Sequence, residues 1–140
     1  MIYQNDPRLY EVIQKVGCFF MCCIMIAKLG SKHEYTTDEI NKLWDLAKAR
    51  GYINTKDEMI NSVGVINLAS DIKFKQVCHS YNKTLHPNAD YYIQKAYILN
   101  PHKEPYHFRL MNRDGAIIYD PYNPSVEMGA EVYRRGYQRI

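Results

Sequence analysis

Three residues of the chain belong to types that together make a thiol nucleophile: Cys18, His107 and Asp120. Cys18 follows Gly17 and opens an apolar run, so it is expected at the N-terminus of a helix. A thiol is a good nucleophile only as the thiolate, which the positive end of a helix and a nearby imidazolium both stabilise. Gly17 would leave room for a substrate backbone, and the Cys18 amide could help to hold a developing oxyanion.

Thiol chemistry also needs a base and a group that orients it. His107 begins the run "HFRLMN", which leads into a turn, and Asp120 ends the next run, "AIIYD". Cross-strand neighbours at this separation can meet, so both side chains are expected at one edge of a sheet. Each residue also has an ordinary interpretation: Cys18 as a buried thiol, His107 as a core histidine, and Asp120 as a turn residue before proline. Their combination favours function.

The remaining cysteines and histidines indicate neither a disulfide framework nor a metal site. Cys22 and Cys23 are adjacent and cannot act as a paired-ligand knuckle, and Cys78 stands alone, so reduced thiols in a cytoplasm fit best. Cys22 and Cys23 are predicted to be small core residues. The other histidines lie in polar, loop-like contexts and are expected on the solvated surface: His33, His79, His86 and His102. No metal and no cofactor is predicted.

The first half of the chain predicts helices. Residues 18–29 are apolar almost throughout, which is typical of a central buried helix, and Gly30 is the expected end. Thr36 and Glu39 form a capping-box pattern at the start of a second, amphipathic helix that Gly51 should end. A weaker helix is predicted within residues 56–70. A polar connection with room for one short strand follows, up to residue 90.

The second half predicts an antiparallel sheet. Residues 90–99, 105–112 and 115–122 are rich in Tyr, Ile and Phe, and "NRDG" at 112–115 is a turn sequence between two of these runs. Helices followed by strands describe an α+β fold, with an N-terminal helical layer packed on a C-terminal sheet. No linker divides the 140 residues, so one domain, 1–140, is predicted.

Composition restricts the possible partners. The net charge of +3 is modest and the charges are scattered, which does not indicate nucleic acid. The apolar run is too short to span a bilayer, and it lacks both the preceding positive charge of a secretory leader and a cleavage site. No membrane association is predicted, and the oligomeric state is left open.

The pattern "YQNDPRL … GCFFMCCIMIA … HFRLMNRDGAIIYDPYNPS" resembles the papain-like cysteine peptidases of the bacteriocin-processing, double-glycine group and their uncharacterised bacterial and phage relatives. The resemblance implies a papain-like fold in which Cys18 is the nucleophile, His107 the general base and Asp120 the residue that orients it. It also implies that an upstream glutamine supplies an oxyanion donor. Gln4 is the closer match and Gln14 is its rival.

Two other functions remain open at this point. The same fold could be a catalytically silent binding module for a host protein, with its cleft filled by Phe19 and Phe20 and with its tyrosines on the binding surface. A basic, aromatic segment near the C-terminus, "YRRGYQR" at 133–139, could hold phosphate or nucleic acid, although we expect it to be a solvated tail. The resemblance favours a peptidase or amidase that acts on a peptide or protein.

Overall fold

The computed structural model describes residues 2–99, 105–125 and 127–140. It has a helical half followed by a strand half. The helices are α1 (Glu11–Val16), α2 (Cys18–Ser31), α3 (Thr37–Ala49) and α4 (Ser62–Ala69). The strands are β1 (Phe74–Ser80), β2 (Tyr91–Ile98), β3 (Tyr106–Asn112), β4 (Ile117–Tyr119) and β5 (Met128–Arg139). The predicted α+β class is confirmed.

The central helix is α2, because its sequence has no polar face to turn towards water. Every residue from Phe19 to Ala27 is buried. The helix packs on β3 and α4. The ring of Phe20 meets that of Trp44 on α3 edge to face, with centroids 5.1 Å apart. The predicted capping box of α3 is present: Thr36 accepts from the Glu39 amide, and the Glu39 carboxylate accepts from the Thr36 amide.

Two helix boundaries differ from the prediction. A separate six-residue helix, α1, precedes α2, and Gly30 does not end α2. The helix continues to Ser31, and Lys32 adopts the left-handed conformation, with φ of 57°. Gly30 is instead needed for packing, because a Cβ there would lie 2.8 Å from the ring of Phe74 on β1.

The five strands form one antiparallel sheet in the order β1-β5-β2-β3-β4. The predicted turn between β3 and β4 is present, and Gly115 takes the φ of +82° that favours glycine there. One cluster of buried side chains contains residues from both the helices and the strands, including Ile26, Ile66 and Ile93. The two halves therefore share a core.

The C-terminal segment is not a solvated tail, so that prediction was wrong. It forms β5, which lies between β1 and β2. Tyr137 is fully buried and its hydroxyl lies 2.7 Å from that of Ser62 on α4. Arg134 is 6% exposed. Long-range pairing and buried ionic partners make this polar segment an inner strand.

Candidate active site

Cys18 is the first residue of α2, as predicted, and a tight junction with α1 places it there. The Gly17 amide donates to the Ile13 carbonyl at 2.8 Å, and the Gly17 carbonyl accepts from the Met21 amide as α2 begins. A Cβ at Gly17 would lie 2.5 Å from the Ile13 oxygen. Gly17 is buried, so its missing side chain is required by the α1–α2 junction, not by an approaching substrate. Cys18 itself is half-buried.

His107 and Asp120 meet at the edge of the sheet where both were predicted. His107 is the second residue of β3, and Asp120 directly follows β4. The His107 Nε2 and Asp120 Oδ1 atoms are 2.6 Å apart, and the two side chains are 1% and 9% exposed. The same Oδ1 accepts from the Tyr122 amide at 3.0 Å, which fixes the carboxylate. The ring of Tyr122 lies beside the imidazole, with centroids 5.1 Å apart.

The surroundings of His107 favour its charged form. Burial, the largest influence, acts to lower the pKa, but hydrogen bonds with the side chains of Asp120 and Cys18 outweigh it and raise the pKa to about 9. Since Asp120 holds Nε2, the second ring nitrogen, Nδ1, is the one left for the thiol of Cys18. The structure therefore brings together a thiol, an imidazole and a carboxylate in the order that thiol catalysis requires.

The other cysteines lie in environments that suppress reactivity. Cys22 and Cys23 are fully buried, as predicted, and burial raises the pKa of each thiol. Burial also raises the pKa of Cys78 on β1. A thiol with a raised pKa carries little thiolate near neutral pH. These three residues are therefore internal references for the reactivity of Cys18.

The two candidate glutamines differ in position. Gln4 is fully buried, its backbone amide donates to the Pro121 carbonyl at 2.7 Å, and its side-chain nitrogen donates to the Gln14 carbonyl at 3.1 Å. Gln4 thus adjoins both the Asp120 loop and the helix turn before Cys18. The side-chain nitrogen of Gln14 donates to the Leu9 carbonyl at 2.8 Å. Gln4 keeps one N–H that this bond does not use, and its Oε1 is buried without a partner among the residues that the structure describes.

Phe19 and Phe20, which follow the cysteine, are core residues. They are 7% and 1% exposed, and the ring of Phe19 lies 4.6 Å from that of Phe108 on β3. Phe20 contacts Trp44. Both rings are therefore packed against neighbouring elements and not exposed beside Cys18.

Sequence reasoning did not identify every residue around the site. Tyr122 was predicted only as the last residue of the strand-like run 115–122, although the sequence "DPY" places an aromatic ring two residues after Asp120. Arg135 was missed because its segment was interpreted as a tail. Of the remaining histidines, His33 and His79 are exposed as expected, whereas His86 is half-buried. His79 lies on β1 and not in a loop. His102 lies outside the described residues.

Neither a metal cluster nor a membrane span is found within residues 2–99, 105–125 and 127–140. No three His, Cys, Asp or Glu side chains there gather in a way that could hold a metal ion. None of the helices in the described ranges is long and apolar enough to cross a bilayer.

The fold and site define an α+β protein with a cysteine, a histidine and an aspartate assembled at the start of its central helix. A family model described as "Protein of unknown function, DUF261" matches residues 1–133, so the chain belongs to this family. No curated protein and no solved structure matches the chain.

Proposed function

We propose that this protein is a papain-like cysteine hydrolase, a peptidase or amidase that cleaves a peptide-type bond with Cys18, His107 and Asp120. The observation that carries the proposal is the position of His107, buried between a carboxylate 2.6 Å from Nε2 and the thiol of Cys18. An imidazole held in this way carries a positive charge at neutral pH, and that charge stabilises a neighbouring thiolate.

The reaction proceeds in two steps. The Cys18 thiolate attacks the carbonyl carbon, the C–N bond breaks, and the His107 imidazolium gives its proton to the departing amine. Water then attacks the thioester while His107 takes a proton from it. The carboxylic acid product leaves, and the thiolate and imidazolium are restored. Asp120 keeps the ring oriented throughout, and the Cys18 amide and one N–H of Gln4 stabilise the oxyanion of each step.

Hydrolysis of p-nitrophenyl acetate, an activated ester, tests this proposal without knowledge of the natural substrate. We expect acetylation and turnover at Cys18, loss of both in Cys18→Ala, and a large decrease in His107→Ala. Undiminished hydrolysis by folded Cys18→Ala would refute the proposal. The fold of each variant is checked by circular dichroism.

The role of Gln4 can be separated from a structural role. Acylation passes through an oxyanion, whereas alkylation by iodoacetamide does not. Gln4→Ala should therefore slow acylation by p-nitrophenyl acetate by about 10²-fold and leave alkylation unchanged, since one oxyanion donor contributes about this much. Gln14→Ala is the matched control and should change neither rate. Equal losses in both reactions would show that Gln4 acts only on the structure of the site.

A catalytically silent binding module remains a second candidate, and one observation favours it. Gln4 is fully buried, so a substrate oxyanion reaches its N–H only if the neighbouring loop shifts. Exposed aromatic rings on the sheet, at Tyr97 and Tyr106, and just after β1, at Tyr81, offer surface for a protein partner. In this case Cys18→Ala would leave partner binding unchanged, and p-nitrophenyl acetate would not be turned over by the parent protein.

A further inference from the structure

Aromatic and cationic side chains from several strands gather beside the N-terminus of α2. We call them the cation–aromatic cluster, and they are His79, Lys95, Tyr106, Phe108, Tyr133 and Arg135. The ring of Tyr133 lies 4.5 Å from that of His79 and 6.3 Å from that of Phe108. The cluster reaches α2 through Phe19, the residue after Cys18, whose ring contacts Phe108.

Two cations lie against the rings of this cluster. The ammonium nitrogen of Lys95 is 4.2 Å from the ring centre of Tyr106 and 5.5 Å from that of Tyr133. The guanidinium carbon of Arg135 is 5.2 Å from the ring centres of both Phe19 and Tyr133. Lys95 and Tyr133 are directly paired across β2 and β5, and both cations lie within 5.5 Å of the centre of the Tyr133 ring.

Neither cation has an anionic partner within the described part of the chain. The salt bridges found among those residues include neither Lys95 nor Arg135. Among the described residues the Nε of Arg135 finds no hydrogen-bond partner, although it is buried, and its Nη2 makes one long contact, 3.5 Å, with the Tyr133 hydroxyl. A half-buried guanidinium with unused donors is costly, and contact with aromatic faces offsets only part of the cost.

The cluster is close to the nucleophile. Phe19 directly follows Cys18 in the chain, and the guanidinium carbon of Arg135 lies 5.2 Å from the centre of the Phe19 ring. Arg135 therefore lies beside the first turn of α2, the helix that begins at Cys18. A group bound by Lys95 and Arg135 would belong to a molecule that also reaches the thiol.

We propose that Lys95 and Arg135 form a subsite that binds a carboxylate of the substrate beside Cys18. This inference rests on the proposed function, because it names the substrate class of the same site. A guanidinium offers paired donors that match a carboxylate, and the surrounding rings cover the apolar part of the residue that carries it. The carboxylate is either an Asp or Glu side chain or the free C-terminus of a short peptide.

Bromoacetyl peptides test this subsite, because they alkylate Cys18 and carry the group of interest with them. One pair is bromoacetyl-Glu-Gly amide and bromoacetyl-Gln-Gly amide, which compares a side-chain carboxylate with its neutral analogue. The other pair is bromoacetyl-Gly-Gly with a free carboxylate or with an amide. Alkylation of Cys18 is measured by peptide mass spectrometry with the full-length protein at low ionic strength.

We expect the charged member of one pair to react about tenfold faster than its neutral partner, a factor that corresponds to ~1.4 kcal/mol. The pair that shows the preference identifies the source of the carboxylate. The preference should be lost in Arg135→Met and in Lys95→Met, which keep apolar contact and remove the charge. Lys56 is exposed in the connection between α3 and α4, and Lys56→Met is the matched control. It also removes one positive charge, and it should keep the preference.

Equal rates within both pairs, or a preference that survives Arg135→Met or Lys95→Met, would overturn the subsite. The neutral bromoacetyl-Gln-Gly amide separates this failure from failure of the proposed function. If it alkylates Cys18 no faster than Cys78, the nucleophile is not activated. The charged-to-neutral comparison can still be made at raised pH, where every accessible thiol reacts.

Discussion

Replacement of Asp120 by Asn removes the main support of the charged His107. In the parent protein, burial acts to lower the His107 pKa, and the contacts with Asp120 and Cys18 raise it to about 9 from the ordinary 6.5. Asn at position 120 keeps the shape of the side chain but not its charge. Burial is then opposed only by the contacts with Cys18, so the His107 pKa should fall below about 8.

The same change weakens the dependence of stability on pH. In the parent, the raised pKa stabilises the fold fully below pH 6.5, and this contribution is lost as the pH rises through about 9. Its size is about 3 kcal/mol, since one pH unit corresponds to ~1.4 kcal/mol. In Asp120→Asn this contribution should be smaller by ~1.4 kcal/mol for each pH unit by which the His107 pKa falls.

Nuclear magnetic resonance titration of the histidine rings measures the pKa directly, with the His107 signal assigned by its absence from His107→Gln. Urea unfolding at pH 6 and pH 9 gives the change in the free energy of unfolding with pH for each protein. Subtracting the change measured for His107→Gln removes the contribution of the other titrating groups. A His107 pKa that stays above about 8 in Asp120→Asn would refute the reasoning, because the carboxylate would then not support the charge.

Three substitutions test the packing that positions the site, each by urea denaturation. Gly30→Ala should destabilise by about 1–3 kcal/mol, because the new Cβ meets the Phe74 ring at 2.8 Å; an unchanged stability would mean that the ring moves freely. Glu131→Gln should cost about 3–5 kcal/mol, since it leaves buried Arg134 without its carboxylate; a neutral effect would contradict the buried pair. Thr36→Ala should lower the free energy of unfolding by about 1 kcal/mol, because the capping box is lost; an unchanged stability would contradict the role of this cap.

Local patterns predicted much of the fold. The apolar run that begins at Cys18, the capping box at Thr36 and the turn at Gly115 each depend on residues within a few positions, and each is present. The same is true of His107 and Asp120, which a single hairpin brings together. These features follow from periodicity, capping and turn chemistry, all of which can be evaluated in a short window of sequence.

The features that were missed depend on partners far away in the chain. The sequence of strand β5 is polar because of Arg134 and Arg135. In the fold, Arg134 pairs with Glu131, and Arg135 packs in the cation–aromatic cluster. The sequence did contain one signal for this strand: Tyr133 and Tyr137 are spaced by a multiple of two, as residues on one face of a strand are. The role of Gly17 was also misjudged, because the close approach of Ile13 appears only when the two helices meet.

The central claim is that Cys18 and His107 form an activated nucleophile and its base. The most direct measurement is the alkylation rate of each cysteine by iodoacetamide against pH, mapped by peptide mass spectrometry in the parent and in His107→Ala. At pH 6.5 an ordinary thiol is only about 1% thiolate. We predict that Cys18 alone reacts fast there, ahead of Cys22, Cys23 and Cys78, and slows when His107 is lost. A Cys18 that reacts no faster than Cys78, or that is indifferent to His107, would contradict the account.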